Sequence, residues 1–177
     1  MKADILKTVV SEKEIESICE RLGKQISKDY EGKEPIIIGL LKGCLPFMSD
    51  LVKNITGYVK LDYMSVSSYD GMSSTGSITI KKDIDTSVEG KDVIIVDDII
   101  DTGVTLLNIT QYFKEKKVNS IKTCCLLDKP EGRKVDIKAD YVGMDIPKEF
   151  VVGYGLDFNG LYRNLPFIGV LKKEVYE

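Results

Sequence analysis

The chain contains no histidine. That absence removes every Ser-His-Asp or Cys-His nucleophile and every imidazole-ligated metal site, so proton transfer must fall to Asp, Glu, Lys or Tyr. Cysteine is scarce: Cys19, Cys44, Cys124 and Cys125 show no C-x-x-C spacing, and the adjacent pair lies in an apolar run. This is the pattern of reduced thiols, not of a disulfide framework. No apolar run approaches the roughly 18 residues of a membrane span and the N-terminus has no apolar signal core, so a cytoplasmic protein without membrane contact is expected. An excess of positive charge is also lacking, since 25 Lys+Arg against 28 Asp+Glu give a formal net charge of −3. No general nucleic-acid-binding surface is expected from that balance. No internal repeat, linker or low-complexity segment divides the 177 residues, which read as one domain, 1–177. A domain of that size can bury roughly 70% of its unfolded surface.

What is present is an alternation of strand and helix patterns. Ser11-Glu12-Lys13-Glu14 is a capping box, and Ile15, Ile18, Leu22, Ile26 and Tyr30 follow at steps of three or four, the period of an amphipathic helix. Ile36 to Leu41 reads as a buried strand, followed by Lys42-Gly43-Cys44 and a helix begun by Pro46 that runs to about Lys53. Val59, Leu61 and Tyr63 alternate with Lys60, Asp62 and Met64, which predicts a half-buried strand. Ser67 to Ser77 then offers almost nothing to bury, and a segment of that length inside a compact domain is expected to be a lid. Ile78 and Ile80 mark the return strand. Leu106, Ile109, Tyr112 and Phe113 make a further helix, Ile121 to Leu127 a buried strand ending in Asp128-Lys129-Pro130, and Tyr141 to Leu171 a set of short strands and loops. The alternation predicts an α/β fold, a mostly parallel central sheet flanked by helices.

Chemistry concentrates in Val93 to Thr105. Four β-branched residues, Val93 to Val96, have the character of a central strand buried on both faces. Asp97 and Asp98 come at its carboxyl end, and Asp101-Thr102-Gly103-Val104-Thr105 packs an acid, two hydroxyls and a glycine into a turn before the helix. Ligand crevices of open α/β sheets lie outside the carboxyl ends of strands. Gly103 permits close backbone approach, the N–H groups of Thr102 to Thr105 can form an anion-binding nest, and the helix adds its positive end. Two carboxylates repel a phosphate, so Asp97 and Asp98 suit neutral hydroxyls or a bridging Mg²⁺ ion. A ligand bearing both a diol and a phosphate fits the stretch. Lys42-Gly43, also at a strand's carboxyl end, could present a cation and free amides to an anion, a plain βα turn being the alternative.

This stretch resembles the phosphoribosyl-pyrophosphate (PRPP) motif of the phosphoribosyltransferases, a motif shared with PRPP synthases and some pyrimidine-operon regulators. Leu41-Lys42-Gly43, Ser68-Tyr69, Lys129 and the block Lys148-Glu149-Phe150-Val151-Val152-Gly153-Tyr154-Gly155-Leu156-Asp157 with Arg163 extend the resemblance over nearly the whole chain, and specifically to the hypoxanthine-guanine members. It implies a type I, Rossmann-like phosphoribosyltransferase fold with a small hood region, and a homodimer or homotetramer. It implies that Asp97, Asp98 and the turn Asp101 to Thr105 hold ribose and 5′-phosphate, and that Leu41, Lys42, Gly43, Ser68, Tyr69 and Arg163 face pyrophosphate. Phe150 would stack on the purine, the Val151 backbone would meet its edge, and Lys129 its 6-oxo group. Mg²⁺ is the implied cofactor, held through Asp97, Asp98 and Asp157, and the Leu41-Lys42 peptide can be cis in this family. The substrates implied are PRPP with hypoxanthine or guanine. One departure stands out: Asp97 replaces the family's usual Glu, one methylene longer.

Singly, Phe150 reads more often as core, Lys129 as a solvated strand end and Arg163 as surface. Together they predict a transferase in which Asp101 is the general base. A xanthine-preferring relative and a regulatory RNA-binding protein on the same fold are the alternatives, and the latter should carry a basic face.

Overall fold

The computed structural model describes residues 1–68 and 78–176. In chain order its elements are β1 (Ile5–Val10), α1 (Glu12–Asp29), β2 (Ile36–Leu41), α2 (Leu45–Lys53), β3 (Lys60–Ser68), β4 (Ile78–Lys82), β5 (Asp92–Ile100), α3 (Val104–Glu115), β6 (Ser120–Asp128), β7 (Tyr141–Asp145), β8 (Val151–Val152), β9 (Ile168–Leu171) and α4 (Lys173–Tyr176). Of the expected lid, Ser67 and the Ser68 backbone close β3, and the remainder, Tyr69 included, lies outside the described residues. No helix among the described residues is long and apolar enough to cross a membrane.

A six-stranded sheet runs β4-β3-β2-β5-β6-β7. Its pairs are parallel except β3 with the edge strand β4. From β2 the chain moves outward through β3 and β4, then returns to the other side of β2 to lay down β5, β6 and β7. The direction of winding therefore reverses between β2 and β5, whose residues pair from Ile36 with Val93 to Gly39 with Val96. That reversal opens a crevice at their carboxyl ends.

Two apolar layers cover the sheet. On one face Ile15, Leu22 and Ile26 of α1 and Phe47 and Leu51 of α2 meet Ile37, Ile94, Val96 and Leu126. On the other, Leu106, Ile109 and Phe113 of α3 meet Ile36, Ile38, Val93 and Ile95. Each such side chain, taken fully from water, contributes roughly 1.5–3 kcal/mol. The expected capping box is formed: the Ser11 N–H donates to Glu14 Oε2 at 2.7 Å, and the Glu14 N–H to Ser11 Oγ at 3.4 Å.

The hood is a small antiparallel sheet, β1-β9-β8, with Val152, Tyr162, Leu165 and Leu171 at its centre. Its Val10, Val151, Tyr154 and Ile168 join the apolar layer under α1 and α2, so hood and sheet share one core. β1 had no counterpart in the sequence reading. Its hydrogen-bonding partner is the last strand of the chain, and its burial is confined to its final residue.

Two expectations are corrected. β5 continues past the expected Val93 to Val96 run to Ile100, so Asp97 and Asp98, expected at its carboxyl end, lie inside its second half, Asp97 alongside Cys125 of β6. In β3 the predicted alternation is displaced: Leu61 is 45% exposed, whereas Asp62 and Met64 are buried. Asp62 can be buried because its carboxylate accepts N–H groups from Tyr63 at 2.7 Å, Asp85 at 2.9 Å and Thr86 at 2.8 Å.

Candidate active site

The crevice at the winding reversal is built from three strand ends and the hood. β5 brings the acids. Asp98 N–H donates to Asp97 Oδ1 at 3.0 Å, and Ile99 N–H to Asp98 Oδ1 at 2.8 Å, so both carboxylates are held by the backbone that follows them. Withdrawal from water raises the Asp97 carboxyl well above its ordinary range, with the Asp98 charge adding to the effect. Withdrawal from water also raises Asp98, opposed by its hydrogen bonds with Asp97 and the Ile99 N–H and, to a smaller extent, by the Arg163 guanidinium. Two crowded carboxylates with too little positive charge around them are a donor set that a hard divalent cation relieves.

Beyond them the chain turns. Gly103 caps α3 with φ +80°, the left-handed region in which a side chain would be strained, and a Cβ there would lie 2.6 Å from Ile137 Cγ2. A cavity of about 110 Å³ lies at this turn, bounded by Asp97, Ile99, Asp101, Thr102, Gly103 and Thr105. The Val104 N–H donates to Thr102 Oγ1 at 3.3 Å. The predicted phosphate cradle is thus a concavity at a helix N-terminus, walled by hydroxyls and backbone.

From β2 comes Leu41-Lys42-Gly43, and the Leu41-Lys42 peptide is cis. Lys42 is exposed and Gly43 buried. A methyl group on Gly43 would overlap the Asp98 carboxylate, so the absence of a side chain lets the β2 and β5 ends approach. A methyl group on Gly155 of the hood, at φ +100°, would likewise overlap the Gly43 carbonyl. Beside it, Arg163 pairs with Asp157 Oδ1 at 2.6 Å and donates to the Gly155 carbonyl. The other Asp157 oxygen, Oδ2, accepts the Gly160 N–H at 2.7 Å. Asp157 is therefore an engaged carboxylate, with one lone pair on each oxygen still free in principle for a cation.

From β6 comes Lys129. It is 8% exposed, and its Nζ lies 3.0 Å from Asp101 Oδ2. The two residues expected to meet the 6-oxo group and to take the proton face each other across the crevice. An ammonium has three donors, so Lys129 retains two for a ligand. Phe150 is 39% exposed, stacked on Tyr176 with centroids 4.9 Å apart and edge-on to Phe158 at 5.8 Å. It is a braced, accessible ring and not a core residue. Val151 is buried in β8 beside it.

Three contributors had no role assigned from the sequence. Tyr154, at φ +49°, reaches from the hood to donate to Asp50 Oδ2 at 2.6 Å, which pins the chain after β8 to α2. Arg133 and the buried Asp128 pair beneath the β5 turn. The Tyr154–Asp50 bond is made across the fold and the Arg133–Asp128 pair between residues close in sequence, and neither periodicity nor motif spacing reports either pairing. The cysteines are buried, and withdrawal from water pushes the Cys19 thiol up to about 11 and the other three higher still, in keeping with inert reduced thiols.

The chain is similar over its length to known phosphoribosyltransferases. Residues 6–159 match the family model described as the phosphoribosyl transferase domain. The hypoxanthine-guanine phosphoribosyltransferase of Bacillus subtilis (strain 168) is 53% identical over 178 residues, covering 100% of this chain and 99% of that protein. The protein of the same name from Streptococcus pneumoniae (strain R6) is 54% identical over 99% of this chain and 98% of its own. The crystal structure of a hypoxanthine phosphoribosyltransferase from Staphylococcus aureus superposes with a TM-score of 0.97 at 52% identity, covering 100% of this chain and 97% of that one.

Proposed function

The chain belongs to the phosphoribosyl transferase domain family, and on that premise we propose that it is a purine-salvage enzyme moving the 5-phosphoribosyl group of PRPP onto hypoxanthine or guanine, with release of pyrophosphate and formation of IMP or GMP. The observation that supports this reading is a hydroxyl-lined cavity at the α3 N-terminus whose wall includes Asp101, the partner of the buried Lys129. Relatives of this name share about half of their residues with the chain over its full length.

The chemistry can be assigned group by group. Purine N9 attacks C1 of PRPP: the N9–C1 bond forms, the C1–O bond to pyrophosphate breaks, and the purine N7 proton leaves. Asp101, with its side chain 47% exposed to the crevice, takes that proton. The turn amides and the hydroxyls of Thr102 and Thr105 hold the 5′-phosphate, and Asp97 and Asp98 face the ribose hydroxyls. Lys42, Gly43 and Arg163 meet the negative charge that develops on the leaving group. Lys129 donates to the 6-oxo oxygen, and Phe150 carries the base. Asp97 and Asp98 would also hold Mg²⁺, whose charge would offset that of pyrophosphate when bound; a Mg²⁺ site commonly takes its remaining ligands from substrate phosphates and water. The shorter Asp97 side chain leaves room for a water between carboxylate and ribose.

A homodimer or homotetramer in the cytoplasm completes the proposal, and light scattering coupled to gel filtration tests the assembly. A steady-state assay with PRPP and each free purine tests the activity. Turnover of hypoxanthine and guanine is expected; conversion of no purine would overturn the reading.

A further inference from the structure

We propose that Arg133, in the loop after β6, is a positioning residue that orients the backbone amides of the 5′-phosphate cradle. Its side chain is 15% exposed and ion-paired to Asp128, itself 10% exposed. One guanidinium nitrogen, Nη1, donates to the Ile100 carbonyl at 3.2 Å and to the Asp101 carbonyl at 2.7 Å. Asp128 lies opposite Ile100 in the β5–β6 ladder, so the guanidinium takes over where the strand pairing ends.

The consequence follows from peptide geometry. A trans peptide plane carries its C=O and N–H in opposite directions. Fixing the Asp101 carbonyl on Arg133 therefore turns the Thr102 N–H away from the guanidinium. The next plane is fixed the same way, because the Lys134 N–H donates to the Thr102 carbonyl at 2.9 Å, and this turns the Gly103 N–H away as well. Two successive amides are thus held with their carbonyl sides occupied by the post-β6 loop, which leaves the N–H sides for an anion. Gly103 fits this packing closely: a Cβ on it would stand 3.0 Å from Arg133 Cδ. The positive charge of Arg133 is matched by Asp128, so the guanidinium sets direction and not the net field. The Arg fork suits this task because it holds two carbonyls and a carboxylate in one plane, which a lysine ammonium cannot reproduce.

This inference rests on the proposed PRPP reading, since it takes a sugar phosphate as the ligand of the turn. The test is calorimetric titration of the parent, Arg133→Gln and Arg133→Lys with ribose 5-phosphate and, separately, with Mg²⁺-pyrophosphate, alongside KM for PRPP and for hypoxanthine. Misaimed amides are expected to weaken ribose 5-phosphate about tenfold in Arg133→Gln, the scale of one charge-assisted hydrogen bond. KM for PRPP should rise in step, while pyrophosphate affinity and KM for hypoxanthine stay within about threefold, and Arg133→Lys falls between. A general loss of structure would weaken both ligands alike. Unchanged ribose 5-phosphate affinity, or equal weakening of both ligands, overturns the assignment; if Arg133→Gln does not fold, Arg133→Lys is judged by the same criterion. A parent that binds no ribose 5-phosphate would overturn the PRPP reading itself.

Discussion

Replacing Lys129 by Gln separates base recognition from everything else in the crevice. Lys129 is 8% exposed and has Asp101 Oδ2 at 3.0 Å, so its ammonium is held in place before any base arrives. It offers donors and no acceptor. Beside position 6 of a purine it favours a carbonyl oxygen and opposes the amino group of adenine. A charge-assisted hydrogen bond to the 6-oxo group is worth roughly 2 kcal/mol, and leaving the ammonium and the adenine amine unpaired costs roughly 2 kcal/mol more. The sum, about 4 kcal/mol, corresponds to adenine being used about 10³-fold less efficiently than hypoxanthine. Gln presents both a carbonyl and an NH₂, so kcat/KM for hypoxanthine and guanine should fall about 10-fold or more while the gap to adenine narrows by at least about 10-fold. Loss of the Asp101 partner depresses all three bases together and cancels in the ratio. The assay is kcat/KM for each base at saturating PRPP. A ratio as large as the parent's would refute the reasoning: Lys129 would then serve only to hold Asp101, and discrimination would come from backbone groups near Val151.

Asp101→Asn keeps shape and hydrogen bonding but removes the base, and turnover should fall about 10²- to 10⁴-fold with PRPP binding within a few-fold; near-normal turnover would place proton removal elsewhere. EDTA should abolish activity, and Mg²⁺ or Mn²⁺ should restore it, whereas full activity in chelator would count against the roles given to Asp97, Asp98 and Asp157. Asp62 tests the fold away from the site. Burial acts to raise its pKa, but hydrogen bonds from Thr86, Tyr63 and Asp85 outweigh it and hold the carboxyl below its ordinary range. Its stabilisation is therefore present above the unfolded value of about 3.9 and is lost as pH falls through the lower folded value. Asp62→Asn should be less stable at neutral pH by about 1–3 kcal/mol, and thermal melts of the two proteins should converge toward pH 3; a gap that persists there would refute the carboxylate's role.

The sheet was legible because its strands carry the signature of burial on both faces. Ile36 to Leu41 and Val93 to Val96 are unbroken apolar runs, and parallel central strands leave no face for polar alternation. β3 misled because it lies between a buried strand and an edge. Its Asp62 points inward on the strength of hydrogen bonds from residues of a later loop, which alternation of hydropathy cannot register. β1 was silent for a related reason, since the strand it pairs with is at the far end of the chain. Of the site, the β5 turn, Lys42-Gly43, Lys129, Phe150 and Arg163 were visible as a motif. Their pairings were not. That Asp101 faces Lys129, that Asp157 faces Arg163 and that Arg133 braces the turn are facts of packing between segments that spacing within any one of them leaves open.

The winding reversal explains why such a site can exist at all. Asp97 and Asp98, adjacent on one strand, repel each other and are withdrawn from water, and both stand above the ordinary carboxylate range. A cation beside them in sequence would pair with them and neutralise the crevice permanently. Here the positive groups come from elsewhere: Lys42 from the end of β2, Lys129 from the end of β6, Arg163 from the hood. Lys129 and Arg163 are engaged in their own pairs, with Asp101 and Asp157. The Asp97–Asp98 pair is therefore left under-compensated, at a cost in stability of the kind that functional sites carry. That deficit is what would draw a divalent cation and, through it, an anionic substrate. The acids sit on the inner strand and the cations on its flanks, so under the proposed assignment PRPP would meet negative groups at its hydroxyls and positive groups at its leaving end. The charge separation along the substrate that bond cleavage at C1 requires would then follow from the order of the strands.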